Sequence, residues 1–90
     1  MRKIEKQMND AIKKGKNWSC GNTQVIHESS ACYVYLHGNR IVTITSYDNI
    51  IVDIDTLRHW PTPTTKSRLK ALGVDVCTKN HVTYLNGKAI

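Results

Sequence analysis

The chain has 90 residues and a mass of 10.2 kDa, which leaves room for one core and predicts a single domain over residues 1–90. Phe is absent and the hydrophobic share is 40%, so two Trp, four Tyr and the Ile, Val and Leu set must supply the apolar bulk of a small core. The net charge of +6 favours anionic partners and excludes an acidic mimic of DNA.

Residues 1–16 read as a basic amphipathic helix. Ile4, Met8, Ala11 and Ile12 recur at i, i+4, i+7 and i+8, one apolar stripe at the helical period, and Gly15 supplies the stop. Arg2, Lys3, Lys6, Lys13, Lys14 and Lys16 occupy the remaining faces against only Glu5 and Asp10, so two-thirds of the net charge sits in this segment. The lysines near the end of the helix also suit its dipole.

Residues 22–54 change to a period of two and predict antiparallel strands. Asn22–Glu28 alternates, Ser29-Ser30 turns, and Ala31–His37 and Arg40–Ser46 are β-branched and aromatic runs joined by Gly38-Asn39, a two-residue hairpin signal. With that loop Leu36 faces Ile41 and Val34 faces Thr43. One sheet face then carries Cys32, Val34, Leu36, Ile41 and Thr43. The other carries Tyr33, Tyr35, Val42 and Ile44, a candidate interface with another subunit, because both faces are too apolar to stay wet. Asp48-Asn49 reads as a turn and Ile50–Ile54 as a short strand.

Asp55–Trp60 reads as a connector, and Pro63 near the first turn with Gly73 past the end frames a second helix at about 63–72. Residues 76–90 predict a C-terminal hairpin turning at Lys79-Asn80. The expected class is α+β: a small antiparallel sheet of four to six strands, an N-terminal amphipathic helix and one further helix.

No secretory signal and no long apolar run is present, which predicts a soluble intracellular protein. Cys20, Cys32 and Cys77 are odd in number and form no C-x-x-C pair, as expected of reduced, half-buried thiols rather than a metal site. The four His show no ligand spacing, and Asp53 and Asp55 alternate on the expected strand without a nucleophile or phosphate loop nearby. Neither a cofactor nor an enzymatic activity is expected.

The runs LHGNRI (Leu36–Ile41), W-x-T-x-TTKSRLKAL (Trp60–Leu72) and KN-x-V-x-YLNGK (Lys79–Lys88) resemble a set of small proteins of tailed bacteriophages. The resemblance covers most of the chain and is most specific in TTKSRL. It implies a phage origin, a compact α+β domain and expression in the host bacterial cytoplasm, and it carries no catalytic residues.

Two candidate sites follow from the residues themselves. Thr64, Thr65, Lys66, Arg68 and Lys70 place hydroxyls and cations at a helix start, which suits a phosphate or other anion; the plainer reading is that Thr62 or Thr64 caps the helix, Trp60 plugs the core and the cations are solvated. Arg2, Lys3, Lys6, Lys13, Lys14 and Lys16 with Trp18 suit nucleic acid, the cations on phosphates and a base on the indole. The expected function is therefore that of a non-enzymatic phage accessory protein that binds nucleic acid or a host nucleic-acid complex. The alternatives are a host-takeover or anti-defence factor that captures a host protein or an anionic nucleotide, as a homo-oligomer through the Tyr33 and Tyr35 face, and a minor virion component. No membrane partner is expected.

Overall fold

The structure is a computed structural model that describes residues 2–45 and 49–90. The elements run α1 (Lys3–Lys14), β1 (Trp18–Cys20), β2 (Thr23–Glu28), β3 (Ala31–Leu36), β4 (Asn39–Thr45), β5 (Ile50–Val52), α2 (Ile54–His59), α3 (Pro63–Ala71), β6 (Val76–Lys79), β7 (Val82–Leu85) and β8 (Lys88–Ala89). Strands β1 to β5 form one antiparallel sheet in sequence order and β6 to β8 a second, three-stranded one. The fold is α+β.

The core lies between one face of the five-stranded sheet and the helices. Met8 and Ala11 of α1, Leu57 of α2 and Leu69 of α3 are buried with Val25, Val34, Leu36 and Val42 of the sheet, and Val76 and Leu85 join them from the second sheet. The expected stripe of α1 is the docked one: Met8 and Ala11 are buried and Ile4 and Ile12 half-buried. Gly15 ends the helix in the left-handed region (φ 69°), and the Lys16 amide donates back to the Ala11 carbonyl at 3.0 Å. The second helix begins where Thr62 caps it and Pro63 fills its first turn, close to expectation.

The β3–β4 hairpin differs from expectation in loop and register. The loop is His37-Gly38, with φ of 52° and 78°, the pair of positive values that a type I′ turn needs. Leu36 faces Asn39 and Tyr35 faces Arg40; Ile41 is then an extra residue, a β-bulge, after which Val34 faces Val42 and Cys32 faces Ile44. Val42 and Ile44 are consequently buried in the core, on the opposite face from Tyr33 and Tyr35, and cannot belong to an interface with them. Thr43 crosses to the tyrosine face, opposite Tyr33. The reason is energetic. Full burial of Val42 and Ile44 gains about 1.5 to 3 kcal/mol each, more than the roughly 1 to 2 kcal/mol that His37 loses in the left-handed region.

Trp18–Cys20, which fell in no expected element, is an edge strand. Three further expectations are corrected. The expected strand Ile50–Ile54 stops at Val52, and the connector is a helix: Asp53 caps α2 by accepting from the Thr56 amide at 3.0 Å, so Asp53 and Asp55 do not alternate on a strand. The last hairpin turns at Asn80-His81 (φ 51° and 65°) rather than Lys79-Asn80. Cys20 is exposed, whereas Cys32 is buried, and burial pushes the Cys32 thiol up from its ordinary pKa. The expected turn at Asp48, the strand end at Ser46 and the helix start at Met1 lie outside the described residues.

Candidate anion-binding surface

Arg68 determines how the helices sit. Its Nη1 donates to Glu5 Oε2 at 2.8 Å and its Nε to the Thr23 hydroxyl at 3.0 Å, while the Ser67 hydroxyl donates to the same Glu5 oxygen at 2.6 Å. Both charged side chains are only 4% exposed. Burial pushes the Glu5 carboxyl up, but the hydrogen bonds from Ser67, Arg68 and the Arg2 amide and the charge of Arg68 outweigh it, so its pKa falls below the ordinary value. Arg68, expected among the anion-binding cations, is instead committed to a carboxylate inside the protein. An external anion would have to displace Glu5 to reach it.

The start of α3 is committed as well. The Thr65 amide donates to the Thr62 hydroxyl at 3.2 Å, and the two hydroxyls are 3.0 Å apart, so Thr65 is a buried capping partner. Thr64 and Thr65 line a recess with Trp60, whereas Lys66 and Lys70 line a different one with Glu5, Ser67, Cys77 and Thr78. The sequence constellation 64–70 is thus split between two places. Trp60 does not plug the core: it is 52% exposed.

Lys66 and Lys70 acquire other neighbours. Glu5 meets Ser67 and Arg68, and four residues later the Asn9 amide donates to the Ala71 carbonyl at 3.0 Å, so α1 and α3 lie side by side and run the same way. Helical spacing places Lys6 and Lys13, at i−3 and i+4 from Asn9, on this flank of α1. Lys13 lines a recess of about 510 Å³ with Ala71 and Leu72, which meets the recess of about 580 Å³ at Lys66 and Lys70 through their shared Ala71. Ala71 thus borders both recesses, with Lys13 at one and Lys66 and Lys70 at the other. Lys66 Nζ donates to the Thr78 hydroxyl, a neutral partner, and forms no ion pair among the described residues.

The other flank of α1 carries Lys14 and Lys16, which meet Gln7, Asn17 and Trp18 around a recess of about 230 Å³. Lys14 is paired with Asp10 at 3.1 Å, a solvent-exposed pair of the kind that contributes little. Trp18 faces Val25 and packs half-buried against the core, with its recess-lining edge beside the two lysines. Arg2 and Lys3 are exposed at the start of α1. On the outer face of the large sheet Tyr33 and Tyr35 are half-buried, and the Arg40 guanidinium lies 5.4 Å from the centre of the Tyr33 ring.

Sequence reading missed Glu5, although it stands three residues before Met8 on the docking side of a cationic helix, where an acid needs a buried cation. No group of His, Cys, Asp or Glu among the described residues is arranged to hold a metal ion, and no helix there is long and apolar enough to cross a membrane. No curated protein and no solved structure matches the chain. The family model for Kyanoviridae Gp96 protein matches residues 1–90, the full sequence, and with the α+β fold described above this places the chain in that bacteriophage family.

Proposed function

We propose that the protein is a non-enzymatic phage accessory factor, working in the host cytoplasm, that binds the phosphate backbone of nucleic acid along the α1–α3 seam. The supporting observation is the parallel alignment of the two helices by Glu5–Arg68 and Asn9–Ala71, which sets the flank of α1 that carries Lys13, and by helical spacing Lys6, alongside the helix that carries Lys66 and Lys70. Arg2, Lys3, Lys14 and Lys16 extend the cationic surface around α1, and Trp18 offers a ring edge to a base beside the last two. Each phosphate neutralised releases counterions, so affinity falls steeply with salt.

The test is fluorescence anisotropy with a labelled single-stranded and a labelled duplex oligonucleotide across a salt series. Lys6→Glu and Lys70→Glu are expected to weaken binding of either probe and to flatten the salt slope by about 0.7 to 0.9 per lost phosphate contact. Binding that ignores salt, or that survives both substitutions, overturns the reading.

A second reading, capture of a host protein or a second copy of this chain, is favoured by the outer sheet face, where Tyr33 and Tyr35 neighbour Thr43 and the 56% exposed Ile51. A size measurement of wild type against Tyr35→Lys distinguishes it from nucleic-acid binding.

A further inference from the structure

The recess at Trp60 has a different chemistry from the cationic seam. It measures about 250 Å³ and sits where the β3–β4 hairpin meets the α2–α3 connection. Its floor is apolar, made by the buried Leu36 and Ile41, and the Trp60 indole forms a wall. Asn39, Thr56 and Thr64 supply polar groups at the rim, His37 of the turn lines it as well, and no Lys, Arg, Asp or Glu does.

These features select a ligand. With no Lys, Arg, Asp or Glu on the lining, a neutral group is favoured, since a fully charged one would lose hydration without a permanent ionic partner. The volume lies just below the range of about 300 to 1,000 Å³ that drug-sized ligands occupy, which fits one or two fused rings. A half-exposed indole is a stacking surface for a flat π-system. The Asn39 side chain makes no hydrogen bond within the described residues and presents a donor and an acceptor side by side, the pattern that pairs with the edge of a base. The hydroxyls of Thr62 and Thr65 are already engaged with each other, which leaves Asn39, Thr56 and Thr64 for recognition.

The hairpin geometry maintains this arrangement. His37 takes the left-handed conformation, its amide donates to the Asn22 carbonyl at 2.8 Å, and the turn it forms pairs Leu36 with Asn39, which puts the floor and the polar rim of the recess on neighbouring strands. From these observations we infer that the recess binds a single neutral nucleobase, stacked on Trp60 and held at its edge by Asn39.

The inference is independent of the phosphate-binding reading, because an uncharged nucleoside gains nothing from the lysines of the seam. The experiment is titration of the full chain with adenosine, guanosine, cytidine and uridine, followed by ¹⁵N-resolved NMR at the Trp60 indole N–H and the Asn39 side-chain amide. At least one nucleoside is expected to shift both signals, and Trp60→Ala to weaken its binding by roughly 5- to 150-fold, the range a base–aromatic stack carries. Asn39→Ala is a second variant, expected to weaken binding with the Trp60 signal still present to report folding. The proposal is overturned by the absence of shifts at millimolar nucleoside, by an affinity at the Asn39 amide that Trp60→Ala leaves unchanged, or by binding of adenosine monophosphate or inorganic phosphate where adenosine has none.

Discussion

Glu5 and Arg68 stand sixty-three residues apart in sequence and 2.8 Å apart in space, and both are almost fully withdrawn from water. The pair joins α1 to α3, and Thr23 of β2 takes the next guanidinium hydrogen. Every buried side-chain nitrogen and oxygen among the described residues has a hydrogen-bond partner, so the network has the satisfied form that a buried ion pair needs.

Removing one partner leaves the other charge stranded. Arg68→Met is expected to cost about 3 to 5 kcal/mol in urea unfolding, whereas the double variant Glu5→Leu with Arg68→Met recovers most of that loss. A single and a double variant of equal stability would show that the pair is not coupled.

The same pair predicts an acid-side instability. Because the folded-state pKa of Glu5 lies below its ordinary value of 4.5, its ionisation contributes stability that is fully present above about pH 4.5 and is lost as the pH falls through the folded value. The stability difference between wild type and Glu5→Gln should therefore shrink on acidification below pH 4.5. A difference that stays constant down to pH 2 contradicts this.

The bulge at Ile41 makes neighbouring positions behave oppositely. Val42→Thr buries an unpartnered hydroxyl opposite Val34 and is expected to cost about 1 to 3 kcal/mol, while Thr43→Val on the outer face stays within about 0.5 kcal/mol. Thermal unfolding of the two variants separates this register from the one with a Gly38-Asn39 loop, which reverses the order.

The turn offers a stabilising change. His37 has φ of 52° ahead of Gly38 at 78°, and Asn tolerates that region better than His does in the Asn-Gly form of a type I′ turn. His37→Asn should raise stability by up to about 1 kcal/mol, read as a higher midpoint in denaturant, and Gly38→Ala should lower it by about 1 to 2 kcal/mol.

What could be read along the chain was what local chemistry controls. Met8, Ala11 and Gly15 in α1, and Thr62 and Pro63 at α3, follow rules of period and capping that act within a few residues, and both helices form where those rules place them. The α+β class follows from the same periods. Helix α2 escaped notice because six residues are too few to show a period, leaving only the Asp53 cap as a signal. Register escaped because a strand is indifferent to a one-residue slip until its side chains meet a core: only packing against Met8, Leu57 and Leu69 makes Val42 and Ile44 worth a bulge and a left-handed His37.

The charge has the same division. The order of residues makes the protein basic and puts most of its excess charge in residues 1–16. Which cations face outward is a matter of packing, because side chains distant along the chain have no mutual energy until the fold brings them together. Folding took Arg68 inside to Glu5, set the helix that carries Lys66 and Lys70 alongside α1, and left Thr64 and Trp60 around a separate recess that no Lys, Arg, Asp or Glu lines.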